Sequence, residues 1–383
     1  MGYVSKIIKI LYSKSFWWIL ILTFLLYGFS YRFPISFYLV PFAFFISYYL
    51  LNHKKRFTLS LDIIILFFLM TVFAIILFFG GFLSFDFNIR IKTATYILLF
   101  LFPLFFIFYN EVKTNPLEIT KRNLLFAYFI IGILLMTLYF KGFIASNRYQ
   151  HVGNALGATT ILFFTLKNKK MRWTLFLIWV FSLLLVGSRQ ALVGLLFSGL
   201  IYVLVSNYKV FLTFILSCIL IVWNKDYIIG LIEELSIKYN AVTVRRIIHA
   251  INSGGGKSVE TRLKVYSNLV EEVGFFPNFT FSQTDDSLLP HNFFLEYFIV
   301  CGILIGSIFL LYIFSLIIRS ILENRNSVLV YFSLFYFVSF NVSTGISAAK
   351  YFIYYSFLLI VLLDNSRVKK KLLKKENEEN TFS

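Results

Sequence analysis

The sequence predicts an all-α polytopic membrane protein with about twelve transmembrane helices and one large external loop between helices 9 and 10. Three observations carry that prediction. Of 383 residues, 59% are hydrophobic and 14% charged, against roughly 25% charged in soluble domains, and mean hydropathy is +0.80. One polar stretch, Asn224 to Pro290, interrupts the apolar segments. Lys and Arg recur in alternate connections between those segments, the pattern that orients membrane proteins. A β-barrel would alternate polar and apolar residues along each strand, and these segments do not.

Apolar segments fall near 16–32, 34–51, 60–81, 93–109, 124–141, 154–166, 173–187, 191–206, 209–223, 292–317, 328–345 and 350–364. The first is read as a span and not a removed signal, because no small-residue cleavage site follows it. Several are shorter than the roughly 20 residues of an upright span, which tilting or local unwinding accommodates. The chain then divides into membrane helices 1–9 over 1–223, an external loop over 224–290, helices 10–12 over 291–364 and a basic cytoplasmic tail over 365–383.

The charges test the count. Lys6, Lys9 and Lys14, His53 to Arg56, Lys113, Lys121 and Arg122, Lys167 to Arg172, Lys209, Arg319 and Arg325, and the tail RVKKKLLKK all fall on alternate connections. Placing them in the cytoplasm puts both termini there. The turn at Arg32, the loops 82–92 and 142–153, the Ser188–Arg189 turn, the long loop and the stretch 341–350 then face outward. The net charge of +18 thus reads as topology and not as a nucleic-acid surface. Cys218 and Cys301 lie in apolar segments and give neither a disulfide framework nor a metal spacing.

The long loop holds seven Lys/Arg and eight Asp/Glu, so it is no simple polybasic arm. Its first part, IIGLIEELSIKYNAVTVRRIIHAI, has helical apolar spacing and suits amphipathic helices lying over the bundle. SGGGK at Ser253 to Lys257 is a hinge. The GKS of Gly256 to Ser258 is no phosphate loop, since that motif needs glycine where Ile251 stands and a preceding strand.

The outward side collects the polar groups that need an explanation. Arg148 lies in ASNRYQHVGNALG with His151 and Asn154, and Arg189 in LLLVGSRQALVGLL, where almost no loop joins two apolar helices. Arg262 lies in ETRLKVY, and His291 and Asn292 open a helix that carries Glu296. A charge at the depth of Arg189 is costly unless it snorkels or meets a polar ligand. Three arginines together can hold a diphosphate through charged, directional hydrogen bonds. His291 can take up a proton near neutral pH, or it can simply lie at the interface beside the capping Asn292. His151 is an alternative base. Glu296 can orient a polar group or bind sugar hydroxyls, and Lys350 in NVSTGISAAK adds charge. Tyr149 and Tyr239 can stack on sugar rings.

In these pieces, NRYQHVGNALG, GSRQALVGLL, ETRLKVY and HNFFLEYFIVCGILIG with its long upstream loop, the chain resembles the bacterial O-antigen ligase and O-antigen polymerase superfamily. The resemblance covers about residues 140–310 in order and topology. It implies a GT-C type, inverting, metal-independent glycosyltransferase without a cofactor, working in the bacterial cytoplasmic (inner) membrane on undecaprenyl-diphosphate-linked oligosaccharide for lipopolysaccharide or capsule. It further implies that Arg189 and Arg262 hold the diphosphate with help from Arg148, and that His291 stands at the reacting centre. His151, Asn154, Asn292, Glu296 and Lys350 complete the expected substrate-binding set. The apolar LLP before His291 departs from the polar context usual in the ligases. Polymerase, ligase and lipid-linked oligosaccharide flippase all stay open, and a polysaccharide chain-length regulator is a candidate partner.

Overall fold

In the computed structural model, the residues described are 14–28, 60–83, 91–114, 117–143, 149–206, 273–279, 292–343 and 352–367, with scattered single positions elsewhere. The expected spans 34–51 and 209–223, most of the loop 224–290 and the end of the tail lie outside these continuous stretches.

The described residues form an all-helical bundle. In chain order its helices are α1 (Lys14–Gly28), α2 (Leu61–Leu83), α3 (from Lys92 to Thr114), α4 (Leu117–Phe140), α5 (Tyr149–Leu162), α6 (Lys169–Val186), α7 (Arg189–Ser206), α8 (Phe293–Asn324), α9 (Val328–Ser343) and α10 (352–367). By length and composition four are apolar enough to cross a membrane: Leu61–Gly80, Lys92–Asn110, Leu117–Phe140 and Phe293–Asn324, the last of them broken at Gly302. Gln190–Ser206 and Val328–Ser339 are shorter apolar helices.

Composition explains most of these elements. α2 is an almost unbroken run of Ile, Leu and Phe, a helix because in lipid every backbone N–H and C=O must find its partner within the segment. α3 widens to a π-helix over Tyr96–Leu101, which ends two residues before Pro103. Proline brings no N–H and its ring crowds the carbonyl four residues back, here Leu99, so the ladder adjusts locally. α6 is capped at both ends. The Asn168 side chain accepts from the Met171 N–H at 3.2 Å, and Gly187 ends the helix at φ 78° with its N–H on the Leu183 carbonyl.

Side-chain contacts fix how the helices run. Asn123 Nδ2 donates to Ser15 Oγ at 3.3 Å, bringing the starts of α1 and α4 together. The Thr159 hydroxyl reaches the Tyr128 carbonyl at 3.1 Å, and Tyr202 meets Tyr331 edge-on. The outcome is a bundle with two unlike ends. Lys113, Lys121, Arg122, Lys167, Lys169, Lys170, Arg172, Arg319, Arg325 and Arg367 stand at one end. Among the described residues, the opposite end has Lys92, Lys141 and Arg189.

The basic end is cross-linked. Asp62 at the start of α2 takes Arg319 Nη2 at 2.8 Å on one carboxylate oxygen and Arg367 Nη2 at 3.2 Å on the other. Arg367 also lies 3.7 Å from Asp364, which accepts from the Tyr109 hydroxyl at 2.9 Å, and Lys113 donates to that hydroxyl at 2.8 Å. Tyr312 donates to the Asp62 carbonyl, and Ser366 to Asn324. One network therefore joins α2, α3, α8 and α10.

α8 corrects the expectation of a single span over 292–317. Gly302 sits at φ 76°, ψ 171° and separates two helical halves. The halves fold against each other. Tyr297 stacks on Phe309 with centroids 3.9 Å apart, and Phe293 lies 6.1 Å from the same ring. In a straight helix Phe293 and Phe309 would be about 24 Å apart along the axis. The first half packs on Phe73, Phe337 and Phe352, and the Tyr297 hydroxyl donates to the Leu69 carbonyl at 3.0 Å, so it turns back from Gly302 against the middle of α2.

Candidate functional site

The end opposite the basic network gathers the starts of α5, α7 and α10 and the close of α9. Small residues let three of these helices approach backbone to backbone, as in membrane bundles generally. A side chain at Gly153 of α5 would run into Ser188, in the turn before α7. One turn along, a Cβ at Gly157 would stand 2.6 Å from the Phe335 ring and 3.6 Å from Ala191. Gly194 of α7 lies against Ser339 and the Phe335 carbonyl of α9.

This seam positions four polar side chains out of solvent: Asn154, Ser188, Gln190 and Ser339 are all buried. Both amide atoms of Asn154, both of Gln190, and the hydroxyls of Ser188 and Ser339 have no hydrogen-bond partner among the described residues. A buried polar group left unpaired costs about 1–3 kcal/mol, so the cluster holds unused hydrogen-bonding capacity at considerable expense. Amides and hydroxyls both donate and accept, which suits a ligand rich in hydroxyls. The α7 N-terminus adds free N–H groups and a positive dipole end to the same place, and Arg189 is its first residue.

Packing holds Asn154 in place from the other side. The Tyr336 hydroxyl donates to the Asn154 carbonyl at 3.5 Å. Tyr336 stacks on Tyr355 at 3.7 Å, and the hydroxyls of Tyr355 and Tyr128 share a hydrogen bond of 2.8 Å. α4, α5, α9 and α10 thus meet at a buried tyrosine core directly below the polar cluster.

The remaining sequence-predicted residues sort clearly. His151 is half-buried in the first turn of α5, and Tyr149 packs beside the core. Asn292 caps the first half of α8, its Oδ1 accepting from the Leu295 N–H at 3.1 Å. Glu296, one turn on, is buried. The structure brings Asn154 to the Arg189 turn through the Gly153–Ser188 contact. Asn292 and Glu296 lie on the folded-back half of α8, which touches α9 at Phe337, the residue after Tyr336. The two groups therefore flank the outer part of α9. His291, Arg148, Arg262, Lys350, Tyr239 and Cys218 fall outside the described residues. Cys301 is a buried free thiol beside the α8 break.

Ser188, Gln190 and Ser339 escape the reading of the sequence. The signal for Gln190 is present in GSRQALVGLL, since an amide at the head of an apolar helix is costly in a membrane. Arg189 beside it takes the attention. Ser339 gives no such signal, because serines are common in membrane helices.

Compared with known proteins, the chain matches no family model, no curated protein and no solved structure.

Proposed function

We propose that this chain is a membrane-embedded glycosyltransferase that polymerises lipid-linked oligosaccharide repeat units of an O-antigen or capsule. In this reading it crosses the bacterial cytoplasmic membrane twelve times, with the basic end in the cytoplasm and the polar cluster facing outward. The observation that carries the reading is a pair of buried amides, Asn154 and Gln190, that lie beside the Arg189 turn and have neither side-chain polar atom paired among the described residues. Groups that pair only with a ligand belong where a ligand arrives.

The reaction assigns a role to each residue. Arg189 and Arg262, with Arg148, would hold the diphosphate of an undecaprenyl-diphosphate-linked glycan and stabilise charge as it departs. An acceptor sugar hydroxyl would attack the anomeric carbon from the opposite face. The bond from that carbon to the phosphate oxygen breaks, the undecaprenyl diphosphate leaves with the electron pair, and the hydroxyl proton passes to His291. Asn154, with His151, Asn292, Glu296 and Lys350, would bind the saccharides. A ligase would use the same donor site and a lipid A core acceptor.

A transporter is the second reading, favoured by the break in α8, because transporters commonly build substrate sites from discontinuous helices. Purified protein in nanodiscs, given its lipid-linked repeat unit, separates the readings by product length on a gel. A ladder formed by the parent and lost in Arg189→Ala, with unfolding temperature unchanged, is the expected result. No ladder from intact protein and verified substrate overturns the polymerase reading. Product appearing only with lipid A core present would indicate a ligase, and translocation without product a transporter.

A further inference from the structure

The break in α8 comes with its own fastening. A helix broken at Gly302 frees backbone groups on both sides, and a segment of the long loop, Val273 to Phe279, takes them up. The Ile303 N–H donates to the Gly274 carbonyl at 2.9 Å, the Leu304 N–H to the Phe275 carbonyl at 3.4 Å, and the Asn278 N–H to the Val300 carbonyl at 3.1 Å. Val273 also packs on Ile299 with Leu295. Glycine is required at 302 twice over: its φ is +76°, and a Cβ there would meet Phe276 backbone atoms at 2.6 Å.

The side chains of this strap point to where it lies. Phe275 and Phe276 are 56% and 70% exposed, and their rings pack edge to face at 5.1 Å. The second half of α8 presents an exposed apolar ridge of Leu304, Ile308, Leu311, Phe314, Ile318 and Leu322. In a membrane-spanning helix that ridge faces lipid. The strap is hydrogen-bonded to Ile303 and Leu304 at the head of the ridge, so the two phenylalanines extend it into the loop. From Ile303 to Arg319, where the basic network begins, is about 24 Å along the helix. That places the strap near the boundary of a hydrocarbon core about 30 Å thick, where aromatic rings anchor. The backbone pairing fits the same depth: in water the freed N–H and C=O groups would be solvated, whereas lipid leaves them no partner but protein.

We propose that Val273 to Phe279 is an interfacial membrane anchor that seats Phe275 and Phe276 among the lipids and ties the external loop to the bilayer surface at the α8 break. Its partner is phospholipid at the boundary of headgroup and acyl chain. The strap thereby holds the half-helix bearing Asn292 and Glu296 at membrane level.

The test uses the full chain in phospholipid nanodiscs with Cys218→Ala and Cys301→Ala. A nitroxide is attached at Phe276→Cys, at Leu311→Cys on the ridge, and at Lys141→Cys beyond the end of α4. Collision with oxygen, which partitions into lipid, is compared with collision with a water-soluble nickel chelate. The expected oxygen-to-nickel ratio at position 276 is several-fold above that at 141 and nearer to that at 311. A ratio nearer to that at 141 overturns the proposal. Unmodified protein gives a second readout. Photoactivatable phospholipid should label the peptide containing Phe275 and Phe276, and labelling confined to the spanning helices counts against the anchor.

Discussion

Replacing Gly302 with alanine tests the reversal in α8 and everything that hangs on it. At φ 76°, ψ 171° the backbone occupies a region almost reserved for glycine, and a side chain there costs of order 1–3 kcal/mol. The new Cβ would also stand 2.6 Å from the Phe276 carbonyl carbon and oxygen and 2.7 Å from the Phe275 oxygen. These are backbone atoms that no rotamer change can move. Relief requires the strap to shift, giving up hydrogen bonds worth about 1 kcal/mol each. The combined cost is at least about 3 kcal/mol, more than a hundredfold in the equilibrium between folded-back and opened geometries. A disulfide reports that equilibrium directly. A Cβ at Gly306 lies 2.9 Å from Phe298 Cγ, so Phe298→Cys with Gly306→Cys brings two thiols within bridging range. In a straight helix the same positions are about 12 Å apart, too far to bridge. In a background of Cys218→Ala and Cys301→Ala, the pair should oxidise readily, and Gly302→Ala should slow oxidation more than tenfold and lower the unfolding temperature. Failure of the parent pair to bridge would refute the reversal. Equal bridging and equal stability after Gly302→Ala would refute the energetic reasoning.

At the basic end, Asp62→Asn should destabilise the bundle by about 1–2 kcal/mol, because the carboxylate is buried but Arg319 and Arg367 are a third or more exposed to solvent. In reversible unfolding, Asp62→Asn and Arg319→Gln should be less than additive, and strict additivity would count against a direct pair. At the other end, Gln190→Leu removes a buried amide whose two polar atoms have no partner among the described residues, so stability should hold or rise while the product ladder is lost. Loss of stability with activity intact would show that Gln190 serves the fold and not the ligand.

The fold was legible wherever one physical rule dominated. Hydropathy finds α2, α4 and α9 because an apolar run in lipid has few alternatives to a helix. The alternation of Lys and Arg likewise anticipates the gathering of Lys113, Arg122, Arg172, Arg319 and Arg367 at one end. Periodicity could not locate the break at Gly302, since FIVCGILIG is apolar on both sides of the glycine and reads as one span. What decides the break is a pairing with Gly274 and Phe275, partners distant in sequence. The Asp62–Arg319–Arg367 network is hidden for the same reason, its members lying on three helices. At the candidate site, Asn154 and Arg189 stand out as polar groups among apolar residues. That they adjoin is set by Gly153 on Ser188, a contact between small residues that carry no pattern of their own.

The two ends of the bundle differ in which buried polar groups they leave unpaired, and the contrast bears on function. At the basic end each buried charge has an answering one: Asp62 has two arginines, and Asp364 has Arg367 and the Tyr109 hydroxyl, itself bound by Lys113. That is the arrangement expected of groups selected for stability and orientation, since an unanswered charge in such a place is penalised. At the other end Asn154, Ser188, Gln190 and Ser339 are buried just as deeply, but their side chains lack partners among the described residues. Leucine or alanine at those positions would meet the needs of packing at lower cost. Buried side-chain atoms without partners occur at the basic end as well, at Thr120, Asn123 Oδ1, Ser320 and Ser327, but there each is a single atom, whereas Asn154 and Gln190 each leave a whole amide unanswered among the described residues. Two whole amides without partners beside the first residue of α7 support a ligand that completes them.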